Sequence, residues 1–191
     1  MKGNFNNSMY LEKVNEYEIF SIVKNFKSKK SQSFDNIKMT TIKKTILGIL
    51  TPLTHICNLS FQSGTIPDKM KIAKVIPIYK SGHHQDLGNY RPISILPQFS
   101  KILEKLFLNR LISYIEKQQI LVKNQFGFRK KHSTESALVT LIETVTDALE
   151  NKESTVAIFL DLKKAFDTIN HDILLDKMFF YGIRGIVFGW V

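Results

Sequence analysis

Two carboxylates, Asp161 and Asp167, flank Phe166 in VAIFLDLKKAFDTINH, residues 156–171, whose first five residues are all apolar. An apolar run that ends in an acid predicts a buried β-strand over 155–162 with the Asp161 carboxylate at its open end. A hard dication is held in this way, because Mg²⁺ takes oxygen ligands on a rigid support. The chemistry of a two-ion site of this kind is phosphoryl transfer. For a lone Asp161 the plainer role, capping the turn after the strand, is the preferred reading. Asp167 reads as structural, paired with a cation or serving the turn before Asn170, and His171 as a helix cap or the partner of an acid. No grouping of His, Cys and Asp has zinc spacing, and His83 and His84 read as exposed loop residues.

Lys80 and Arg91 stand on either side of the loop SGHHQDLGN, residues 81–89. Cations in those places could close on a triphosphate, Arg through its planar fork and Lys as a point charge, although each alone is an ordinary surface cation. Gln125, Phe126, Gly127, Phe128 and Arg129 form a second candidate group. Exposed aromatics beside an Arg stack on bases, whereas buried ones fill a core; taken singly, Phe126 and Phe128 are assigned to the core.

Charge narrows the partner class. The chain of 191 residues has a net charge of +10, is 43% hydrophobic and carries a single cysteine. Residues 63–131 hold 13 Lys and Arg against 4 acids, an excess that suits a polyanion, since each neutralised phosphate releases condensed counterions. Lys101, Lys105 and Lys117 instead read as the solvated side of an amphipathic helix. No apolar run approaches the roughly 18 residues of a membrane span, and the polar, Asn-rich start is no secretion signal, so an intracellular protein is expected. Cys57 lies among apolar neighbours and reads as a buried thiol. Asn6 and Asn58 each open an Asn-x-Ser triplet with no inferred role.

The elements that must position these groups alternate along the chain. Apolar spacing predicts helices over residues 11–27 and 40–62, the second kinked or broken at Pro52 and ending near Gly64. The runs 74–80 and 90–96 are β-branched and joined by a loop containing Gly and Asp, which predicts a hairpin; Pro77 and Pro92 make both strands edge-like. Helices follow over 100–117 and 135–150, the latter capped by Ser133 or Thr134, and over 172–181, with Asn170 as its cap and Gly182 beyond its end.

Taken together, IPDKMKIAKVIPIYKSG, NYRPISILPQFSKILEKLFLNRL, NQFGFRKKHST and AIFLDLKKAFDTINHDILLDKMFFYGIRG closely resemble the reverse transcriptase domain of jockey-like, non-LTR retrotransposons. KKSQSFDNI and LTPLTHICNLSFQSGTIPDK resemble its leading segment, so the likeness covers nearly the whole chain. It implies an α+β architecture, the fingers and partial palm of a right-hand polymerase. Residues 1–62 would be a helical leading segment, 63–150 the fingers and 151–191 the start of the palm.

The resemblance implies residue roles as well. Asp161 matches the first catalytic aspartate, a ligand to Mg²⁺ or Mn²⁺, and the backbone carbonyl of Leu162 matches a further metal contact. Phe166 matches the bulky residue that selects deoxynucleotides by blocking a 2′-OH. Lys80 and Arg91 match cations on the triphosphate, and Gln125, Phe126, Gly127, Phe128 and Arg129 match the segment that approaches template and nucleotide. The partners implied are an RNA template, a DNA primer and deoxynucleoside triphosphates, with no membrane, and action in the cytoplasm with a nuclear stage. Two departures stand out. Ser33 occupies a position where the family usually has glycine for a tight turn. The family's Tyr-x-Asp-Asp hairpin is absent from the sequence, whose last residue precedes the place of that hairpin and of the thumb. One aspartate cannot hold two ions, so this stretch alone is expected not to polymerise, and its palm strand to lack the neighbours it would pair with. A noncatalytic nucleic-acid-binding remnant of a mobile element is the alternative.

Overall fold

Asn15 starts the first helix in the computed structural model, which describes residues 7–28, 32–162 and 165–190. Its side chain accepts a hydrogen bond from the Glu18 N–H at 2.8 Å and caps α1 (Glu16–Asn25), whose first turn carries Glu16 and Glu18 at the positive end of the helix dipole. The helix therefore begins later than apolar spacing suggests. The preceding segment is non-helical and sends Met9, Leu11 and Val14 into the core. Asn58 is what holds it: its carboxamide oxygen accepts from Val14 N at 2.8 Å and its nitrogen donates to Val14 O at 2.9 Å. The Asn-x-Ser triplet at Asn58 thus has a structural role, and Asn6 lies outside the described residues.

α2 (Met39–Ser63) runs through Pro52 as one element and ends at Gly64 in the left-handed conformation. Proline removes one i→i−4 bond, yet Met39, Ile42 and Ile46 before it and Leu53, Cys57 and Phe61 after it enter the same core, which offsets the loss. Of the kink or break expected at Pro52, the break does not occur. There follow α3 (Asp68–Lys71), β1 (Lys74–Tyr79), a 3-10 turn (Leu87–Asn89), β2 (Tyr90–Ile95), α4 (Gln98–Lys117), α5 (Thr134–Glu150), α6 (His171–Phe180) and α7 (Ile186–Trp190). β1 and β2 pair antiparallel, making the mixed helix and sheet architecture expected, with one two-stranded sheet among the described residues.

The chain divides into two units, Met1–Tyr114 with Asp176–Val191, and Ile115–Leu175. Every buried apolar side chain among the described residues lies in the first. There α1, α2 and α4 bring together Ile19, Val23, Ile42, Ile102, Leu103 and Leu106. Trp190 closes the end of this core, stacked on Phe107 at 4.1 Å and donating from Nε1 to Ser60 Oγ at 3.0 Å. Gly182, at φ +91°, permits the turn before α7, because a Cβ there would strike Asn7 O and the Tyr114 hydroxyl.

The second unit corrects one expectation. Residues 155–162 form no strand, and Val156, Ile158, Phe159, Leu160 and Leu162 are exposed. Their composition favours a pleated, half-buried surface, but a strand exists only as one side of a ladder, and no described segment pairs with this one. α5 is capped as expected, Ser133 Oγ accepting from Ser136 N at 3.2 Å, yet buries none of its residues. α6 is likewise capped by Asn170, whose side chain accepts from Ile173 N at 3.1 Å.

Replacing fully buried Leu106 by Ala should lower stability by about 2–5 kcal/mol, as for other cavity-forming Leu truncations; an unchanged denaturant midpoint would contradict the placement of this core. Burial pushes the Cys57 thiol from an ordinary 9.0 up to about 11, with Glu18 adding to the rise and Arg110 opposing it. The folded state thus favours the neutral thiol. Its contribution to stability is full below pH 9.0 and is lost as pH rises toward 11. Native Cys57 should resist iodoacetamide at pH 8 and react quickly once denatured, and equal rates in both states would show an accessible thiol.

Candidate functional site

Alternation along the two-stranded ribbon decides where its cations stand. Ile78 lies opposite Arg91, Ile76 opposite Ile93 and Lys74 opposite Ile95, and Lys80 N donates to Asn89 O at 2.8 Å, continuing the register by one pair. Successive side chains point to opposite faces, so Lys80 and Arg91 share one face with Ile76, Ile78 and Ile93, while Tyr79 and Tyr90 share the other. All of β1 is exposed, and so is Arg91. Pro77 faces Pro92. Counting back from the bonded pair Lys80 and Asn89, these two fall at a non-hydrogen-bonded pair, where a missing N–H costs the ladder nothing.

The loop between the strands is tied to itself. Tyr79 Oη donates to Gly82 O at 2.5 Å, Tyr90 Oη to His84 O at 2.9 Å and Asn89 Nδ2 to His83 O at 3.0 Å. Asp86 accepts from Gly88 N at 2.8 Å, and the His84 ring stacks on Tyr79 at 4.0 Å. Gly82 sits at φ +98°, with the Asn89 amide where a Cβ would lie. His83 and His84 are exposed as expected, but the stacking of His84 was not foreseeable from its position in a loop.

At the base of the ribbon, two serine hydroxyls hold the chain. Ser33, with no exposed surface, donates from Oγ to Ile95 O at 2.9 Å, and buried Ser100 donates to Met70 O at 2.7 Å. The turn at Ser33 forms without glycine: Asn36 N donates to Ser33 O at 3.2 Å, and the left-handed residue is Asn36, at φ 55°. Ser33 stands out in the sequence only as a departure from the family's usual glycine, and Ser100 only by its place at a helix start; neither signal points to these bonds.

The second unit holds the other candidates. Gln125 Nε2 donates to Gly127 O at 3.3 Å, and Arg129 Nη1 donates to Val122 O at 3.0 Å, which closes the segment on itself. Phe126 is half-buried beside His132, with ring centroids 5.8 Å apart. Phe128 is 93% exposed, against the core assignment, and its backbone is left-handed at φ 61°. A bulky residue in that conformation stores about 1–3 kcal/mol of strain, a cost found most often at functional segments. Gly127 has no neighbour within 4 Å of where a Cβ would be.

Asp161, Leu162, Phe166 and Asp167 are all exposed. Phe166 meets Phe128 edge-on, centroids 6.2 Å apart and planes at 87°, a favoured geometry for aromatic pairs. Two candidates distant in sequence are thereby brought together. Lys80 and Arg91 belong to the first unit. Among the described residues no three His, Cys, Asp or Glu side chains form a metal-holding group. These residues therefore do not by themselves complete the divalent-metal site that the resemblance implies, and Asp161 with the Leu162 carbonyl could supply only part of one. No described helix is long and apolar enough to cross a membrane.

Comparison with known proteins bears on this geometry. Residues 78–191 match the family described as reverse transcriptase (RNA-dependent DNA polymerase). The chain is 35% identical over 178 residues to the RNA-directed DNA polymerase from mobile element jockey of Drosophila melanogaster, an alignment covering 93% of this chain and 19% of that protein. It is 33% identical over 172 residues to a probable RNA-directed DNA polymerase from transposon BS of the same species, with 90% and 19% covered. To the jockey polymerase of Drosophila funebris it is 36% identical over 161 residues, with 84% and 18% covered. The chain thus spans about a fifth of the length of the curated relatives it matches. With the ordered motifs, the hairpin between them and a family match over most of its length, the chain belongs to the reverse transcriptases, in the jockey-like group of non-LTR retrotransposons.

Proposed function

We propose that the protein to which these residues belong copies RNA into DNA, and that this stretch forms its fingers and the first part of its palm. Residues 1–62 lead in, 63–150 make the fingers and 151–191 begin the palm. The observation that carries the reading is the edge-on contact of Phe166 with Phe128. It joins the residue proposed to test the sugar with the segment proposed to lie along the template, the juxtaposition a template-directed enzyme needs.

Lys80 and Arg91, on one face of the exposed ribbon, would take the triphosphate, Arg91 by a forked pair of N–H donors and Lys80 as a compact charge. Gln125, Phe126, Phe128 and Arg129 would meet template and nucleotide, and the open space over Gly127 would let a ligand approach the backbone closely. Asp161 and the Leu162 carbonyl would hold part of a Mg²⁺ or Mn²⁺ site, the remaining carboxylates coming from other parts of the protein. That ion would supply charge neutralisation at the phosphates when bound. The side chains of this stretch orient nucleotide and template. An intracellular place of action, cytoplasmic with a nuclear stage, belongs to the same proposal.

Primer extension on an RNA template with Mg²⁺ tests this. A protein extended through the rest of its reading frame should make DNA, the 191-residue stretch alone should not, and Asp161→Asn in the longer protein should abolish the product. A longer protein that stays inactive, beside a short one that still binds RNA in a salt-dependent way, would make the chain a noncatalytic remnant. Phe166→Ala should raise the use of ribonucleotides relative to deoxynucleotides by about 10–100-fold, the scale on which a pocket discriminates by one hydroxyl. An unchanged ratio would remove Phe166 from sugar selection.

A further inference from the structure

The ribbon that carries Lys80 and Arg91 has no core of its own. β1 is exposed throughout and β2 from Arg91 to Ser94, and a lone two-stranded hairpin is marginal in water. Its direction must be set where it joins the helices. Two side-chain hydrogen bonds act there, one on each leg. On the entering leg, Ser100 Oγ, from the first turn of α4, reaches Met70 O in α3, just ahead of β1. On the leaving leg, Ser33 Oγ reaches Ile95 O, the last residue of β2, across 62 residues of sequence. Both donors are buried, 0% and 4% exposed, where a hydroxyl left without an acceptor is costly.

We propose that Ser33 and Ser100 are positioning residues, a pair of buried hydroxyl clamps that fix the ribbon's two legs to the helical core and so aim the Lys80 and Arg91 face. The proposal rests on the reading that this face binds a nucleoside triphosphate. The clamps touch no nucleotide; they act through the ribbon. Losing one frees one leg, widens the range of directions the ribbon samples and lowers the fraction of time in which both cations can meet one ligand. The expected signature is weaker capture of nucleotide with little change in turnover at saturation.

The test uses the longer protein that contains this chain. Ser33→Ala should raise KM for deoxynucleoside triphosphate about three- to tenfold, the scale of one hydrogen bond, while kcat and the KM for primer–template change less than about twofold. Arg91→Ala should also raise the nucleotide KM, and adding Ser33→Ala to it should give less than the product of the two effects, since the clamp works partly through Arg91. Hydrogen exchange on the same variants reads the clamp without any nucleotide. Ser33→Ala should speed exchange in residues 74–95 and leave the amides of α2 and α4 as protected as before.

Unchanged exchange in the ribbon, or an unchanged nucleotide KM for Ser33→Ala when Arg91→Ala raises it, overturns the clamp. Faster ribbon exchange with no nucleotide effect from either Arg91→Ala or Lys80→Ala overturns the triphosphate reading, and with it the proposed aim. If Ser33→Ala loses protection everywhere, Ser100→Ala makes the same tests from the other leg.

Discussion

A backbone amide or carbonyl taken out of water must find a partner, and that requirement decides which parts of this chain are built. Helices meet it internally, so α1, α2 and α4 can form locally and then bury their apolar sides together. The ribbon meets it by pairing two stretches only a short loop apart. The stretch 155–162 cannot meet it from within, because a strand's ladder belongs to two segments at once. Its apolar side chains therefore stay in solvent, and the first unit holds all the buried apolar side chains among the described residues. The stretch that carries Asp161 is thus the one most dependent on a partner.

Within the first unit the same requirement is met by side chains where no ladder is available. The segment before α1 has no strand neighbour, so its carbonyls turn to Arg110. That guanidinium donates to Glu12 O at 2.9 Å and Lys13 O at 3.3 Å, to both Glu18 carboxylate oxygens at 2.8 and 2.9 Å and to Leu106 O at 3.0 Å, while lying 5.3 Å from the Phe61 ring centroid. A half-buried charge is tolerable only when paired and hydrogen-bonded in this way. One residue of α4 thereby joins the leading segment, α1 and α2. The arrangement also places Glu18 and Arg110 near enough to Cys57 to act on its thiol in opposite senses.

Local signals explain what could be read from the sequence. Ser133 and Asn170 mark helix starts because a cap bonds within three residues of itself, whereas apolar spacing carried the first helix back to residue 11, past its cap Asn15; the hairpin was legible because its loop chemistry and two β-branched runs are adjacent. Chain-distant partners left no such mark. Nothing in KSKKSQSFDN distinguishes Ser33 as a residue that reaches Ile95, nor does α7, only five residues long, announce that Trp190 will stack on Phe107. Hydrophobicity misled in two places for one reason: it encodes a tendency toward burial without naming the surface that provides it. Phe128 and residues 156–160 have that tendency, and the described residues offer them no core. Of the candidate site, the sequence named candidate residues only; the contact of Phe166 with Phe128 and the shared face of Lys80 and Arg91 needed the fold.

Stiffness along the ribbon gives the cation face its meaning. Pro77 and Pro92 restrict φ on both strands at the same level without removing a ladder bond, and the loop is braced by three side-chain bonds to its own carbonyls and a stacked ring pair. At the two legs, where chain leaves the ladder and enters the helices, Ser33 and Ser100 bond across from the core. Lys80 and Arg91 near the tip are exposed, while Ser33 and Ser100 at the base are buried. The separation follows from physical chemistry: an unpaired charge stays hydrated, whereas the hydrogen bond of a neutral hydroxyl is most effective where water cannot compete.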